Sequence, residues 1–462
     1  MLSGILDPTS GVAILLQIAV ILFCLLLGTR YGGLGLGLIS GFGLMVMVFV
    51  FGLAPGEPPI SVMLTIIAVI GCASTLQQAG GLDVMMQFAE KLLRKKPSMV
   101  TILAPLTTWT LTVLCGTGHV VYTMFPIIED IALKKGIRPE RPMAVSSTAA
   151  QMGITASPVS VATVSLASIL AEHAGVIESS FSIPQILSVA LPASLSGVLL
   201  AALWSMRRGK DLDKDPEFQA KLKDPEFKQA VYGNSSTLIG QSFPKGAYRS
   251  MYIFFGAIAV VVILGAFEFL RPSFPTEDGQ MKALSMNLVI QMIMLVAGAI
   301  ILIFCGTDKN KIANTAVFKA GMTAVFSVFG VAWMADTFFG THIDALKASL
   351  GDVVAQAPWM YAIVLLIVSK LVNSQAAALV AIAPLGLSLG VDPAVVVGFY
   401  GAAYGYWILP TYPSDLACIG FDPTGTTKIG KYVINHSFLI PGAICVFTSC
   451  VVGSLLAQLF LA

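Results

Sequence analysis

Apolar runs of helix length recur from one end of the chain to the other, each close to the roughly 20 residues that cross a bilayer core. Apolar and polar positions do not alternate with period two, as they would in the strands of an outer-membrane barrel. The pattern predicts an all-α integral membrane protein. Hydropathy read together with helix breakers gives six segments, a polar stretch, and six more. The first set runs 11–29, 33–53, 60–78, a helix–break–helix at 99–133, a proline-broken helix at 143–171, and 184–206. The second runs 250–269, 286–305, 314–337, a helix–break–helix at 358–390, a proline-broken helix at 394–420, and 435–461.

The two sets correspond. Gly71 matches Gly330, Pro97 matches Pro358, Pro126 matches Pro384, and Pro158 matches Pro413, every pair separated by about the same distance. This regularity reads as an internal duplication. It divides the chain into a first repeat, 1–206, a linker, 207–249, and a second repeat, 250–462. With each helix–break–helix taken as a re-entrant hairpin, a repeat holds five transmembrane helices, one of them discontinuous. Five is odd, so the second repeat is inverted relative to the first.

Charge supports that arrangement. The 207–249 stretch carries nine of the 27 Lys and Arg residues, which assigns it to the cytoplasm. Propagated outward, 23 of the 27 fall inside, Arg271, Lys282 and Lys347 fall outside, and Lys370 falls in the membrane. Full crossings at the breaks would instead split neighbouring basic clusters between the two sides. Both termini are then expected in the periplasm. The linker mixes acid and base and repeats a DPEF segment, so it reads as a solvated connection and not as a nucleic-acid surface. Two amphipathic stretches read as helices lying along the membrane surface. One carries Leu82, Met85, Met86, Ala89, Leu92 and Leu93 on a single face, with Glu90, Arg94 and Lys95 off it. The other carries Ile343, Leu346, Leu350 and Val353.

Composition removes the soluble alternatives. Hydrophobic residues fill 56% of 462 positions and charged residues 11%, with a mean hydropathy of +0.85. A soluble domain carries about 25% charged residues. The seven cysteines are odd in number and lie in or beside apolar runs, which suits small buried hydrophobes and not disulfides or a metal site. No basic stretch followed by a small-residue cleavage site opens the chain, so a cleaved signal peptide is not expected. Four histidines without HExxH, and no Rossmann or P-loop motif, argue against a membrane-embedded enzyme and against ATP-driven transport. No cofactor is expected.

An anion cannot enter hydrocarbon unpaired, so its site needs donors and positive potential near the midplane. The two breaks offer both. CGTGHVVYT interrupts one apolar run at Gly116, Thr117 and Gly118, next to His119; KLVNSQAAAL interrupts the other at Asn373, Ser374 and Gln375. Each break opens a new half-helix whose free N–H groups favour an anion. Broken helices at matching places in two inverted halves point to a transporter site. A second pair of breaks, at TASPVS (Thr155 and Ser157 beside Pro158) and LPTYPSD (Thr411, Ser414 and Asp415 beside Pro413), either completes the site from the facing direction or forms plain proline kinks. Lys370 lies one turn before Ser374 and too deep to snorkel. It either binds a substrate carboxylate or pairs with Asp415. His119 either titrates or packs. Glu129, Asp130 and Asp336 sit near helix ends and read as solvated. Glu90 and Arg94 form an i,i+4 pair of the kind worth little, and Arg138 either steers anions or anchors orientation.

The segments CGTGHVVYTMFPII, GIRPERPMAVSSTAAQMGITASPVSVA, SKLVNSQAAALVAIAP and YGYWILPTYPSDLACIGFDPTGTTKIG closely resemble the Dcu-type family of anaerobic C4-dicarboxylate transporters. The resemblance is strongest to the branch that exchanges external fumarate for internal succinate. It runs almost the whole chain, departing at about the first ten residues and in the 207–249 linker. It implies movement of fumarate, malate, aspartate and succinate across the bacterial cytoplasmic membrane during anaerobic fumarate respiration. It also implies a place in the ion transporter superfamily, with two inverted repeats, a homodimer and an elevator-like moving domain. In members that also regulate, a Lys, Thr and Asp matching Lys370, Thr411 and Asp415 take part in sensing beside a membrane sensor kinase. A Glu and two Arg matching Glu90, Arg94 and Arg138 matter for transport, which raises these three above their reading from the residues alone. The resulting expectation is an alternating-access antiporter, with one carboxylate at Thr117–His119, the other at Ser374–Gln375, and positive charge from Lys370. The alternatives are another carboxylate or oxyanion as cargo, and a chain that doubles as co-sensor.

Overall fold

The computed structural model describes residues 9–31, 34–172, 181–232, 237–275, 281–410, 412–431 and 435–461, with backbone alone at 29 and 346–355. The first half comprises α1 (Gly11–Tyr31), α2 (Gly35–Phe49), α3 (Ile60–Gln78), α4 (Gly81–Lys95), α5 (Val100–Cys115), α6 (Val121–Lys134), α7 (Glu140–Thr155), α8 (Val161–Glu172) and α9 (Ile183–Ser205). The connecting stretch holds α10 (Pro216–Lys221) and α11 (Pro225–Tyr232). The second half comprises α12 (Lys245–Ala266), α13 (Met286–Phe304), α14 (Ala316–Gln356), α15 (Met360–Val372), α16 (Gln375–Ser388), α17 (Pro393–Gly398), α18 (Pro413–Gly420) and α19 (Leu439–Phe460). A two-stranded antiparallel ribbon, β1 (Ser273–Pro275) and β2 (Met281–Ala283), joins α12 to α13, with Ser273 opposite Ala283. Among the described residues, eight helices are long and apolar enough to cross a membrane. The chain is a multi-pass membrane protein.

Packing runs across the two halves as well as within them. α9 lies along α19, α3 lies against both α13 and α14, and α2 lies against α14. Where α2 crosses α14, a methyl at Gly37 would collide with the Phe326 carbonyl, and one at Gly330 with the Gly37 carbonyl. Two backbones come this close only because neither residue has a side chain. Outward faces carry large apolar residues, such as Leu295, Ile303, Phe447 and Leu459 at 60–74% exposure, as a lipid-facing surface requires.

Three elements differ from the sequence reading. The span predicted at 314–337 and the amphipathic stretch after it are one helix, α14, of 41 residues. The first-half segments that the sequence reading matches to it, α3 and α4, are separated at Gly80, whose φ of +84° breaks the helix. No residue of α14 leaves helical geometry, and Gly330 and Gly340 stay inside it. Of the face predicted there, Ile343 is half-buried, and the side chains of Leu346, Leu350 and Val353 lie outside the described residues.

The proline-broken segment at 143–171 breaks only at 156–160, but its counterpart at 394–420 is mostly not α-helical. Six-residue α17 gives way to two 3-10 turns, Tyr400–Ala403 and Tyr406–Ile408, before α18. Gly405 sits where a Cβ would strike the Leu366 carbonyl of α15, and Pro410 and Pro413 bar a continuous helix.

The linker is folded. Each DPEF segment is a helix start: the Asp215 carboxylate accepts from Glu217 N at 3.0 Å, the Asp224 carboxylate accepts from Glu226 N at 3.0 Å, and a proline follows each cap. Leu212, Phe218 and Val231 are buried together with Leu133 of α6. The mixed charges hide this in the sequence, because the apolar residues that dock are only a few.

Candidate functional site

The two sequence breaks fold into the same two-residue turn. α5 ends at Gly116, at φ +73°, followed by Thr117 in extended geometry (φ −142°, ψ 135°). α15 ends at Asn373, at φ +49°, followed by Ser374 in extended geometry (φ −151°, ψ 124°). A left-handed residue stops the first helix, and Gly or Asn tolerates that conformation best. A hydroxyl then caps the next one. Thr117 Oγ1 accepts from His119 N at 3.3 Å and lies 2.8 Å from His119 Nδ1; Ser374 Oγ accepts from Ala377 N at 3.3 Å. α5 packs on α6, and α15 on α16, so each turn is the tip of a helical hairpin.

Both tips line one cavity of about 510 Å³. Thr117, Gly118 and His119 of the first tip and Asn373, Ser374 and Gln375 of the second line it together. Tyr406 and Tyr412 form a wall, and α3 and α14 contribute Val69, Gly321 and Ser327. Two helix starts, with backbone N–H groups not used inside a helix, therefore meet at one small space. That arrangement suits an anion with two separated negative ends.

The remaining predicted residues stand behind these walls. Thr155 Oγ1 donates to the Met152 carbonyl at 2.7 Å, and Ser157 Oγ accepts from Val159 N at 3.3 Å; both are buried and serve the break around Pro158. Lys370 Nζ donates to Asn373 Oδ1 at 3.1 Å and to the Leu409 carbonyl at 3.3 Å, tying the second tip to the loop before α18. No ion pair joins Lys370 to Asp415 among the described residues. Asp415 is 1% exposed and accepts instead from Ser147 Oγ at 2.7 Å, while its Oδ2 has no hydrogen-bond partner among the described residues. Ser414 Oγ accepts from Ser147 Oγ at 3.1 Å. Thr411 lies outside the described residues.

Sequence reasoning passed over Ser147, Gln151 and Tyr406. The Tyr406 hydroxyl donates to Gln151 Oε1 at 2.8 Å, and Gln375 Nε2 donates to the Gln151 carbonyl at 2.8 Å. A signal was there: Ser147, Gln151 and Thr155 recur every four residues, a polar stripe on a helix otherwise surrounded by apolar chain.

A second polar centre surrounds the linker, and here three expectations change. Glu90, read as off the buried face, is 0% exposed, and Asp130, read as solvated, is 4% exposed. Arg94 bridges the two, with Nε 2.7 Å from Glu90 and Nη1 3.0 Å from Asp130, and Lys134 reaches Asp130 at 2.7 Å. Glu90 further accepts from Thr237 Oγ1 at 2.7 Å and Leu238 N at 2.6 Å. The pair is thus part of a buried network joining α4, α6 and the linker, not an isolated surface contact. Glu129, also read as solvated, is 9% exposed. Arg138 contacts Glu140 at 2.8 Å and Asp215 at 2.9 Å, so it anchors α10 to the start of α7. Arg208 contacts Glu140 at 2.9 Å; burial lowers its pKa, an effect that Glu140 opposes. Asp336 accepts from Glu57 N at 2.9 Å and so fixes the loop before α3.

Solved structures of the same shape include MtrF of Neisseria gonorrhoeae, with a TM-score of 0.58 at 13% identity over 90% of this chain and 85% of that one. YdaH of Alcanivorax borkumensis aligns with a TM-score of 0.53 at 15% identity over 96% and 97%. At such identities the likeness is one of fold alone. Sequence relatives are much nearer. The anaerobic C4-dicarboxylate transporter DcuB of Escherichia coli O6:H1 is 54% identical over 445 residues, 96% of this chain and 98% of the relative. The C4-dicarboxylate transporter DcuA of Wolinella succinogenes is 36% identical over 447 residues, 96% and 99%. A family model for anaerobic C4-dicarboxylate membrane transporters matches residues 13–461. The chain belongs to the DcuA/DcuB family of anaerobic C4-dicarboxylate membrane transporters.

Proposed function

We propose that the protein exchanges C4-dicarboxylates by alternating access, taking up fumarate, malate or aspartate and releasing succinate. One carboxylate sits at the Thr117–His119 tip and the other at the Ser374–Gln375 tip. The observation that carries this reading is the identical left-handed-then-extended turn at both tips, opening on one shared cavity. A pseudo-twofold site suits a ligand with two equivalent ends. Lys370 contributes positive potential from behind the second tip, through its contact with Asn373.

The packing supports two inverted repeats. Under the correspondence α2 with α13 and α3 with α14, the contact of α2 with α14 and that of α3 with α13 are mates, while α9 with α19 pairs an element with its own counterpart. The moving unit is then the two hairpins with the breaks around Pro158 and Pro413, sliding in each subunit of a homodimer. The purified protein in proteoliposomes loaded with succinate should accumulate labelled fumarate by counterflow. Ser374→Ala and Thr117→Ala should each raise the fumarate KM, and unchanged exchange in both variants would sink the site assignment.

A further inference from the structure

Both hairpin tips are referenced to one residue that does not line the cavity, Gln151 of α7, which is 2% exposed. A Cβ at Gly118 would stand 2.6 Å from Gln151 Nε2, so the backbone of the first tip lies directly on this amide. The second tip is tied to the same residue by the hydrogen bond from Gln375 Nε2 to the Gln151 carbonyl at 2.8 Å. Tyr406 closes the triangle: its hydroxyl donates to Gln151 Oε1 at 2.8 Å and accepts from Gln375 Nε2 at 3.3 Å. Gln151 Nε2 also donates to Ser414 Oγ at 3.4 Å, which fixes the amide from the α18 side. In such dry surroundings a broken hydrogen bond leaves polar groups unsatisfied, so the triangle resists deformation.

A ligand held by one carboxylate at each tip is therefore measured against a separation that this triangle fixes. We propose that Gln151, with Tyr406, is the spacer that sets the chain length of dicarboxylate accepted, a positioning role exercised through Gly118 and Gln375. The inference rests on the two-tip reading of the site and adds to it the residues that hold the tips apart.

The test compares the native protein with Gln151→Ala and Tyr406→Phe in succinate-loaded proteoliposomes. Fumarate counterflow is competed with malonate, succinate and glutarate, which are dicarboxylates of three, four and five carbons. Both variants should lose about fivefold in preference for succinate over glutarate, the equivalent of one hydrogen bond. The fumarate KM should change more than the maximal rate. Loss of inhibition by all three anions in equal proportion, which a merely structural role would give, overturns the proposal. So does an unchanged preference in a variant that still exchanges. Should Gln151→Ala fail to insert, Tyr406→Phe, which removes one oxygen and keeps the ring, decides the matter alone. A native protein with no fumarate–succinate exchange would instead refute the two-tip reading beneath it.

Discussion

Gly116 and Asn373 occupy equivalent places in the two tips, yet the same substitution should affect them differently. At Gly116 a Cβ would stand 2.7 Å from the Val159 carbonyl, and the φ of +73° already disfavours any side chain. Gly116→Ala should therefore lower the thermal unfolding temperature in detergent and abolish counterflow, because the first tip is displaced from the Pro158 break. Asn373, at φ +49°, is the only described residue other than glycine with positive φ. Asn373→Gly keeps that conformation available and removes the contact with Lys370 Nζ, whereas Asn373→Ala removes the same contact and adds about 1 kcal/mol of backbone strain. The expected pattern is near-native thermal stability with a raised fumarate KM for Asn373→Gly, and the same raised KM with a slightly lowered unfolding temperature for Asn373→Ala. Equal KM values for Asn373→Gly and the native protein would mean that the Lys370 contact contributes nothing to binding. At this scale the site was legible where polar residues interrupt an apolar run, as in CGTGHV and VNSQ. It was not legible at Gln151, whose partner Tyr406 lies 255 residues away in the chain.

Elements were legible where their cause is local. The first amphipathic stretch reads as separate from the span before it, and Gly80 is where α3 and α4 divide; the segment after α17 reads as broken at its proline, though not as mostly outside the α-helix. The linker was misread because its docking is non-local. Glu90 and Arg94 look like one more exposed pair until Thr237, 147 residues away, reaches the same carboxylate. The network makes a prediction that belongs to the elements it joins. Glu90→Ala leaves Arg94 short of one carboxylate and the Leu238 N–H without its acceptor. Breaking a buried pair on one side costs about 3 kcal/mol. The cost should appear as loosening of 207–249 from α4 and α6, because Glu90 accepts from Thr237 and Leu238 there, beside Gln87, which donates to the Leu238 and Gln241 carbonyls. Trypsin added to inside-out vesicles should cleave this stretch, which holds nine Lys and Arg residues, faster in Glu90→Ala than in the native protein. Arg138→Ala should do the same through loss of Asp215. Equal cleavage rates in all three proteins would show that the network does not hold the linker.

For the whole molecule, the proposed inverted arrangement ties sidedness to packing, so one labelling experiment tests both. α3 has 19 residues, about 28 Å at 1.5 Å per residue, the thickness of a bilayer core. Its N-terminal end follows the loop that Asp336 fixes, and its C-terminal end leads into α4 and the Glu90 network that holds the linker. The linker and the Glu57 loop are therefore at opposite ends of a crossing helix. If basic residues mark the cytoplasm, Lys210 and Lys309 face it, while Glu57 and the exposed ribbon residue Phe274 face the periplasm. Six of the seven native cysteines are buried and Cys450 is partly so, hence Cys450→Ser provides a quiet background. On that background, Lys210→Cys and Lys309→Cys should react with a membrane-impermeant maleimide only in inside-out vesicles. Glu57→Cys and Phe274→Cys should react only in intact right-side-out cells. Lys210 and Lys309 labelling from opposite sides would break the model at its centre. A single crossing too many or too few between them places the second half upright, and two upright halves cannot present their hairpin tips to one cavity from facing directions.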